Sequence, residues 1–257
     1  MIDEWDLTAT NLHRASGRNY EVGVIPVGAI EAHNRHLPQG QDLRHTTHIA
    51  RRCSRDAWER SQSILCLPPL PYGVDCNLMA YPVTITVSQA TLDAMLREII
   101  ASLRTHGIRK IVILNGHGGN THVLQAALRE LASKSDSFVG MAEQFALSHD
   151  VEMEIRETTE GGHACEIETS VMLDLAPEHV KMSEAKPTRI RKSLFSEGGI
   201  FFVNPWHNYT VNTGIGDPTK ATADKGRRMI EASVDRFAQA LKELSDAPID
   251  DLFPYKD

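Results

Sequence analysis

Residues 111–120 have the sequence IVILNGHGGN, which joins a strand signal to a cluster of polar and glycine residues. A short apolar run that ends at turn residues predicts a strand buried on both faces, as in a parallel sheet covered by helices. Similar runs occur at residues 22–27 and 138–142, and a fourth at residues 64–67. These runs predict a mostly parallel β-sheet.

Segments with helical periodicity separate the predicted strands. Residues 91–105 and 121–133 place apolar side chains three and four positions apart, and residues 219–244 predict a long C-terminal helix. The βαβα alternation predicts one α/β domain over residues 1–257, with a mostly parallel sheet flanked by helices. Ligands in such domains bind beyond the carboxyl ends of the strands. Residues 186–217 lack a clear period and predict a long loop or short irregular strands over the site.

Composition excludes several classes of function. The chain has 257 residues and a formal net charge of −7, and it lacks the basic clusters that hold a nucleic-acid backbone. It contains no apolar stretch of the roughly 18 residues that a membrane span needs. Four cysteines without a C-x-x-C pair indicate reduced thiols. We therefore expect a cytoplasmic protein whose partners include neither nucleic acid nor membrane.

Three polar clusters contain candidate metal ligands. Glu31 and His33 follow the first predicted strand, and His117 follows the strand at 111–114. Glu168 lies on the apolar face of a helix that runs to about residue 176, and a buried carboxylate needs a partner. Carboxylates and imidazoles suit Zn, Mn or Fe. The alternatives are a polar loop, a glycine-rich phosphate cradle that leaves His117 unexplained, and a Glu168 that caps its helix or pairs with arginine.

The order of these clusters resembles the creatininase (creatinine amidohydrolase) family. The resemblance covers about residues 20–180 and rests on five elements: PVGAIEAH at 26–33, HLP at 36–38 with Asp42 after it, PYG at 71–73, NGHGGN at 115–120 and HACEIETS at 163–170.

The resemblance implies a single α/β domain that forms a homo-oligomer, hexameric in some members, and holds one or two divalent ions. The ligands that it implies are Glu31, His33, Asp42 and His117, with Asp42 as a bridge between two ions. His163 matches an active-site histidine that donates a proton to the leaving group or stabilises the oxyanion. We add that Glu166 or Glu168 orients this histidine.

Departures from the family concentrate around the predicted substrate. Creatinine-hydrolysing members have a glutamate two residues after the second ligand histidine, where this chain has Gly119. We infer that Glu168 supplies the missing carboxylate. Arg35 and Asn77 replace common family residues and are candidate substrate contacts. Relative to the family, the implied metal ligands are retained while the residues around the substrate differ. This pattern indicates the same chemistry on a different substrate.

The expected function is hydrolysis of a small cyclic molecule by a metal-activated water. Cleavage of a C–N bond in a cyclic amide or formamide ranks first. The alternative is cleavage of a C–C bond beside the ketone of an oxidised cyclitol of the dehydro-inosose type. From another class, the chain could be a non-catalytic relative that binds a metal or metabolite, but the full ligand set argues against this. A nucleotide-binding protein lacks support because no phosphate-binding fingerprint is present. His45 and His48 lie one helical turn apart after Asp42 and are predicted to lie on a solvated helix face, with metal ligation as the alternative.

Overall fold

A four-stranded parallel sheet forms the centre of the protein, as the apolar runs predicted. The computed structural model describes residues 3–132, 137–195, 199–250 and 253–255. The strands are ordered β2–β1–β3–β4 across the sheet, and all three pairings are parallel. Their bounds are β1 Val22–Val27, β2 Ile64–Cys66, β3 Lys110–Asn115 and β4 Phe138–Glu143.

Helices connect and cover the strands. Those predicted from periodicity are present with shifted ends, although Ser133, the expected end of one of them, lies outside the described residues. Of helix α2, only a face carrying His45 and His48 was predicted, because its buried stripe consists largely of small and polar side chains. The helices are α1 Leu12–Ala15, α2 Gln41–Ser61, α3 Gln89–Thr105, α4 Thr121–Ala132, α5 His149–Ile155, α6 Glu166–Leu175, α7 Trp206–Tyr209 and α8 Ala223–Asp246.

The two faces of the sheet support separate apolar cores. Alternate residues of a strand point to opposite faces. In β1, Val22 and Val24 pack in one core with residues of α2 and α8, while Ile25 and Val27 pack in the other with residues of α3 and α4. Helices therefore cover both faces, which explains why every residue of β1 and β3 is buried.

The open edge of this sandwich lies where β1, β3 and β4 end. The loop from β1 to α2 and the turn from β3 to α4 both begin there, and Gln144 donates its main-chain N–H to the Asn115 carbonyl beside them. The alternation of strands and helices in the sequence predicted a ligand-binding site at this edge. Over the described residues, no helix is both long and apolar enough to span a membrane.

Candidate metal centre

Six buried side chains with metal-binding atoms meet at this edge of the sheet. They come from the loop and first helical turn after β1, from the turn after β3, and from the segment that opens α6. Parallel strands end at the same side of a sheet, so loops far apart in sequence meet there. The six residues, called the cage below, are Glu31, His33, Asp42, His117, His163 and Glu168.

Asp42, in the first turn of α2, is the centre of the cage. Its Oδ1 lies 3.3 Å from His33 Nε2, and its Oδ2 lies 3.0 Å from His117 Nδ1. Glu31 Oε1 is also 3.0 Å from His117 Nδ1. Asp42 thus belongs to two groups of donor atoms, one with Glu31 and His117 and one with His33 and Glu168. Within each group the donor atoms lie within 4.8 Å of one another.

Main-chain contacts hold these side chains in place. The Glu31 N–H donates to the Gln39 carbonyl over 3.0 Å, which closes the loop between β1 and α2. His33 Nδ1 lies 3.2 Å from the Glu31 carbonyl oxygen, an acceptor, so Nδ1 carries the proton and Nε2 faces Asp42. The Ala164 N–H donates to the Glu168 carboxylate. The cage is therefore organised by its own loops.

Burial gives the cage unusual protonation. Loss of water raises the pKa of Glu31 and of Glu168 to about 7. Burial opposes a charged His33, but the carboxylates of Asp42 and Glu31 outweigh it and raise the pKa of His33 to about 10. Burial also opposes ionisation of Asp42, yet His33 and His117 hold its pKa well below the ordinary value. Protons on the histidines thus balance the carboxylates when no cation does so.

Cage atoms without a hydrogen bond fit a cation. Glu31 Oε2, His33 Nε2 and Asp42 Oδ2 are buried and lack a hydrogen bond of normal geometry, although the last two have the ion-pair contacts given above. Such atoms are costly in a protein interior unless a charge or a metal satisfies them. Carboxylate oxygens and imidazole nitrogens are ligands that Zn, Mn and Fe accept. The residues present therefore fit one or two divalent ions.

His163, also part of the cage, has one nitrogen unprotonated. Its ring stacks on that of His33, with centroids 4.1 Å apart, and meets the Trp206 ring at 4.7 Å. Its Nε2 is 2.9 Å from the Ala32 carbonyl oxygen, which can only accept, so Nε2 carries the proton. Nδ1 then has a free lone pair, 3.8 Å from Glu31 Oε1. Burial lowers the pKa of His163 to about 3, so the ring is neutral.

Glu166 does not join the cage, in contrast to the expectation that it acts in catalysis. Its carboxylate accepts hydrogen bonds from the main-chain N–H groups of Glu157 and Thr158, at 3.1 and 2.9 Å, and from Lys225 Nζ at 2.6 Å. The cause is helical geometry, because two positions along α6 turn a side chain by about 200°. Glu168 faces the cage and Glu166 faces α8, so the structure indicates a bracing role for Glu166.

Replacing Glu166 with glutamine is expected to destabilise the fold by about 2 kcal/mol at pH 7, because hydrogen bonds to a buried charge are lost. Burial alone would raise the pKa of Glu166, but the bonds from Lys225, Thr158 and Glu157 hold it below its ordinary value of 4.5. The carboxylate therefore stabilises the protein above about pH 4.5, and that contribution disappears as the pH falls through the lower folded-state pKa. Urea unfolding at pH 7 and at pH 3 would measure both effects.

The matched control is Glu154→Gln, since Glu154 is exposed and pairs with exposed Arg228. That change should alter stability by less than about 0.5 kcal/mol. Metal content should be unchanged in both variants. Loss of bound metal from Glu166→Gln without loss of stability would contradict the bracing role.

The two candidate substrate contacts lie in different places. Asn77 lines the cavity in front of the cage, and its carbonyl accepts the Trp206 N–H at 2.9 Å. Arg35 is exposed and is not among the described residues that line this cavity. The structure therefore brings Asn77 to the site and leaves Arg35 outside it.

The cavity itself has a volume of about 600 Å³, a size that holds a drug-sized molecule. Glu31, Asp42, His117, His163 and Glu168 line it. The segment predicted as a covering loop also lines it, through residues 201–204 and short helix α7. Apolar and aromatic side chains of the wall include Leu78, Phe145, Phe201, Phe202, Trp206 and Ile215.

Sequence reasoning missed Asp75 and misplaced His45. Asp75 is fully buried, with Oδ1 2.8 Å from His117 Nε2. No local signal marks it, because it stands in an irregular segment between strands. His45 was expected on a solvated face, but it is buried with its ring 5.2 Å from that of Phe145. The burial of His45 involves a distant segment of the chain, because Phe145 follows β4.

Comparisons with known proteins agree with this geometry. A family model described as creatinine amidohydrolase matches residues 5–241. Over 225 residues the chain is 31% identical to a mycofactocin precursor peptide peptidase of Mycobacterium tuberculosis, covering 82% of this chain and 81% of that one. It is 27% identical to the creatinine amidohydrolase of Pseudomonas putida (86% and 88% covered) and 26% identical to the 3-dehydro-scyllo-inosose hydrolase of Thermotoga maritima (86% and 76% covered).

Solved structures show the same fold. A Bacteroides fragilis protein provisionally described as a creatinine amidohydrolase superposes with a TM-score of 0.86 at 32% identity, over 98% of this chain and 100% of that one. A manganese form of creatininase gives a TM-score of 0.74 at 23% identity, over 95% and 100%. With its family match across nearly the whole length and the cage at the expected edge of the sheet, the chain belongs to the creatininase family of metal-dependent hydrolases.

Proposed function

We propose that this hydrolase cleaves the C–N bond of a small amide that carries an apolar group. The observation that supports it best is the pair of donor groups that share Asp42 beside a mostly apolar cavity. Relatives named as a peptidase and as a creatinine amidohydrolase both act on C–N bonds. Amide hydrolysis is therefore the chemistry that the site and two kinds of relative have in common.

Glu31, Asp42 and His117 would hold one ion, and His33, Asp42 and Glu168 would hold a second. A bound Zn, Mn or Fe ion supplies two things to hydrolysis: it lowers the pKa of a water molecule towards neutrality and polarises a carbonyl oxygen. Glu168 takes the place of the glutamate that creatinine-hydrolysing members have where this chain has Gly119. This assignment accounts for a carboxylate buried beside His33 and Asp42.

His163 provides the proton transfer in this proposal. Its neutral ring is a weak base at Nδ1, so it holds the proton of the attacking water only transiently, while Nε2–H stays bonded to the Ala32 carbonyl. It then returns that proton to the leaving nitrogen as the C–N bond breaks, so the amine leaves neutral. Thr213 also donates to Ala32, over 2.7 Å, and helps to keep that carbonyl in place.

The walls of the cavity distinguish between substrate classes. Phe201, Phe202 and Trp206 present apolar surface, and Asn77 is a polar group among them. A polyol would leave many hydroxyl groups unpaired against such walls, whereas an apolar side chain would gain from burial. We therefore rank cyclic amides, formamides and short apolar peptides above cyclitol ketones. The Thermotoga maritima relative keeps C–C hydrolysis as the second candidate.

The proposal also includes a cytoplasmic location and a homo-oligomeric assembly. All four cysteines are unpaired, which fits a reducing compartment and supports the cytoplasmic prediction. Homo-oligomerisation stays a prediction from the family resemblance.

Elemental mass spectrometry before and after chelation tests the proposal first. We expect about two equivalents of Zn, Mn or Fe per chain, as in a bridged dinuclear site. The loaded protein is then assayed on creatinine, formamides, apolar dipeptides and an oxidised cyclitol. Amine release that chelation abolishes would support amide hydrolysis. Uptake below about a tenth of an equivalent from every reloading solution would exclude a metal-dependent site and favour a non-catalytic relative.

Replacing His163 with alanine is expected to reduce kcat at least about 100-fold while leaving the metal content unchanged, because the proton-transfer group is lost and the two donor groups remain. His149→Ala serves as the control, since His149 is an exposed histidine of α5 beside Glu152. Metal analysis and kinetics on the same preparations give both quantities. If His163→Ala loses an ion, His163 is a ligand through its group with Glu31 and His33, and the proton-transfer role fails.

A further inference from the structure

His117 contacts carboxylates with both of its ring nitrogens. Nδ1 faces the cage, 3.0 Å from Glu31 and from Asp42. Nε2 points the other way: it is hydrogen-bonded to the Val74 carbonyl oxygen at 3.3 Å and lies at ion-pair distance, 2.8 Å, from Asp75 Oδ1. The imidazole thus joins the cage to a carboxylate outside it.

Asp75 has no other evident purpose in the fold. It is completely buried, and in the described part of the chain no residue other than His117 approaches its carboxylate as an ion-pair or hydrogen-bond partner. A buried charge without compensation is costly, so its position against a ring nitrogen requires an explanation. Among the described residues, neither Coulombic pairing with a lysine or arginine nor helix capping supplies one.

The main chain around Asp75 is tied directly to the edge of the sheet. Its N–H donates to Thr86 Oγ1 at 2.9 Å, and the preceding Val74 N–H donates to Asn120 Oδ1 at 2.9 Å. Asn120 in turn donates to the Gly28 carbonyl, 3.3 Å away, at the end of β1. The Asp75 carboxylate is therefore held at a fixed distance from the turn that carries His117.

The geometry assigns Asp75 as a positioning residue that accepts the Nε2–H of His117 and keeps Nδ1 directed at the metal. A histidine ligand whose other nitrogen donates to a carboxylate has a fixed ring orientation, a fixed tautomer and greater basicity. The inference rests on the proposed function, because it requires His117 to be a ligand. Asp75 touches neither the ion nor the substrate and acts only through His117.

Zinc affinity of Asp75→Asn and Asp75→Ala, measured by competition with a chelator, tests the inference. We expect zinc to bind about 10- to 100-fold more weakly, with the smaller loss in Asp75→Asn, since an amide oxygen can still accept the hydrogen bond. The control is Asp6→Asn, which removes a buried carboxylate that pairs with Arg51 far from the cage. It should lower stability and leave zinc affinity within about twofold.

A spectroscopic measurement separates positioning from a merely structural role. In zinc-loaded wild-type protein, NMR should show a slowly exchanging, downfield Nε2–H proton on His117, and the Asp75 variants should shift it upfield or expose it to exchange. If the wild type instead has zinc on Nε2 and a proton on Nδ1, the inference is wrong even when no variant folds. Unchanged zinc affinity in folded Asp75→Asn and Asp75→Ala would also overturn it. Failure of the wild type to bind zinc would count against the proposed function instead.

Discussion

Replacing Asp42 with asparagine is expected to remove both ions and to reduce turnover by at least about 10³-fold, which corresponds to roughly 4 kcal/mol of transition-state stabilisation. Asp42 is the one residue that belongs to both donor groups with a carboxylate oxygen directed to each side. Asparagine keeps the shape of the side chain but replaces one oxygen with an NH₂ group that cannot ligate. Substitution of Asp42 should therefore reduce metal content and turnover more than substitution of a ligand that belongs to only one of the two groups.

Metal analysis and amidase kinetics check this prediction, and thermal unfolding separates it from a folding defect. Asp56→Asn is the matched control, because Asp56 lies on the same helix, α2, and pairs with its neighbour Arg55. The control should retain both ions and full turnover. Two equivalents of metal in Asp42→Asn would show that Asp42 is not the shared ligand.

Adding a single methyl group at Gly119 is expected to have the second largest effect. A Cβ atom there would lie 2.3 Å from the Val74 carbonyl oxygen and 2.4 Å from His117 Nε2. Neither neighbour can retreat cheaply, because one is backbone and the other is a ligand ring held between Asp75 and the cage. We expect Gly119→Ala to cost about 2–3 kcal/mol of stability and to weaken metal binding at least about tenfold.

The adjacent glycine supplies the control. A Cβ atom on Gly118 would have no heavy atom within 4 Å, so Gly118→Ala should change stability by less than about 0.5 kcal/mol. Chelator competition and denaturant unfolding on both variants measure the two effects. Normal metal affinity in Gly119→Ala would mean that His117 has room to move, and would weaken the argument that this turn is closely packed.

The same contact explains why the glutamate of creatinine-hydrolysing members has no counterpart at Gly119. With the 74–75 segment and His117 in these positions, a longer side chain has no path out of the turn. In the proposed site that carboxylate comes from Glu168, which lies in a donor group with His33 and Asp42.

The strands, the helices of strong periodicity and the polar clusters could all be predicted from the sequence. Each depends on residues that lie close together along the chain: the apolar run of β3, the spacing of Leu92, Leu96 and Ile100 in α3, or the glycines after Asn115. The edge of the sheet at which the site lies also followed, because parallel strands leave only one edge for their outgoing loops.

Other features depend on contacts between distant segments. The pairing of Asp75 with His117 spans 42 positions, and the contact of His45 with Phe145 also joins segments far apart in the chain. Helical geometry already predicted that Glu166 and Glu168 point in different directions. It did not predict that Glu166 pairs with Lys225. Local sequence determined which residues are able to bind a metal; tertiary packing decided which of them meet, because only the folded chain sets distances between loops and removes water from their charges.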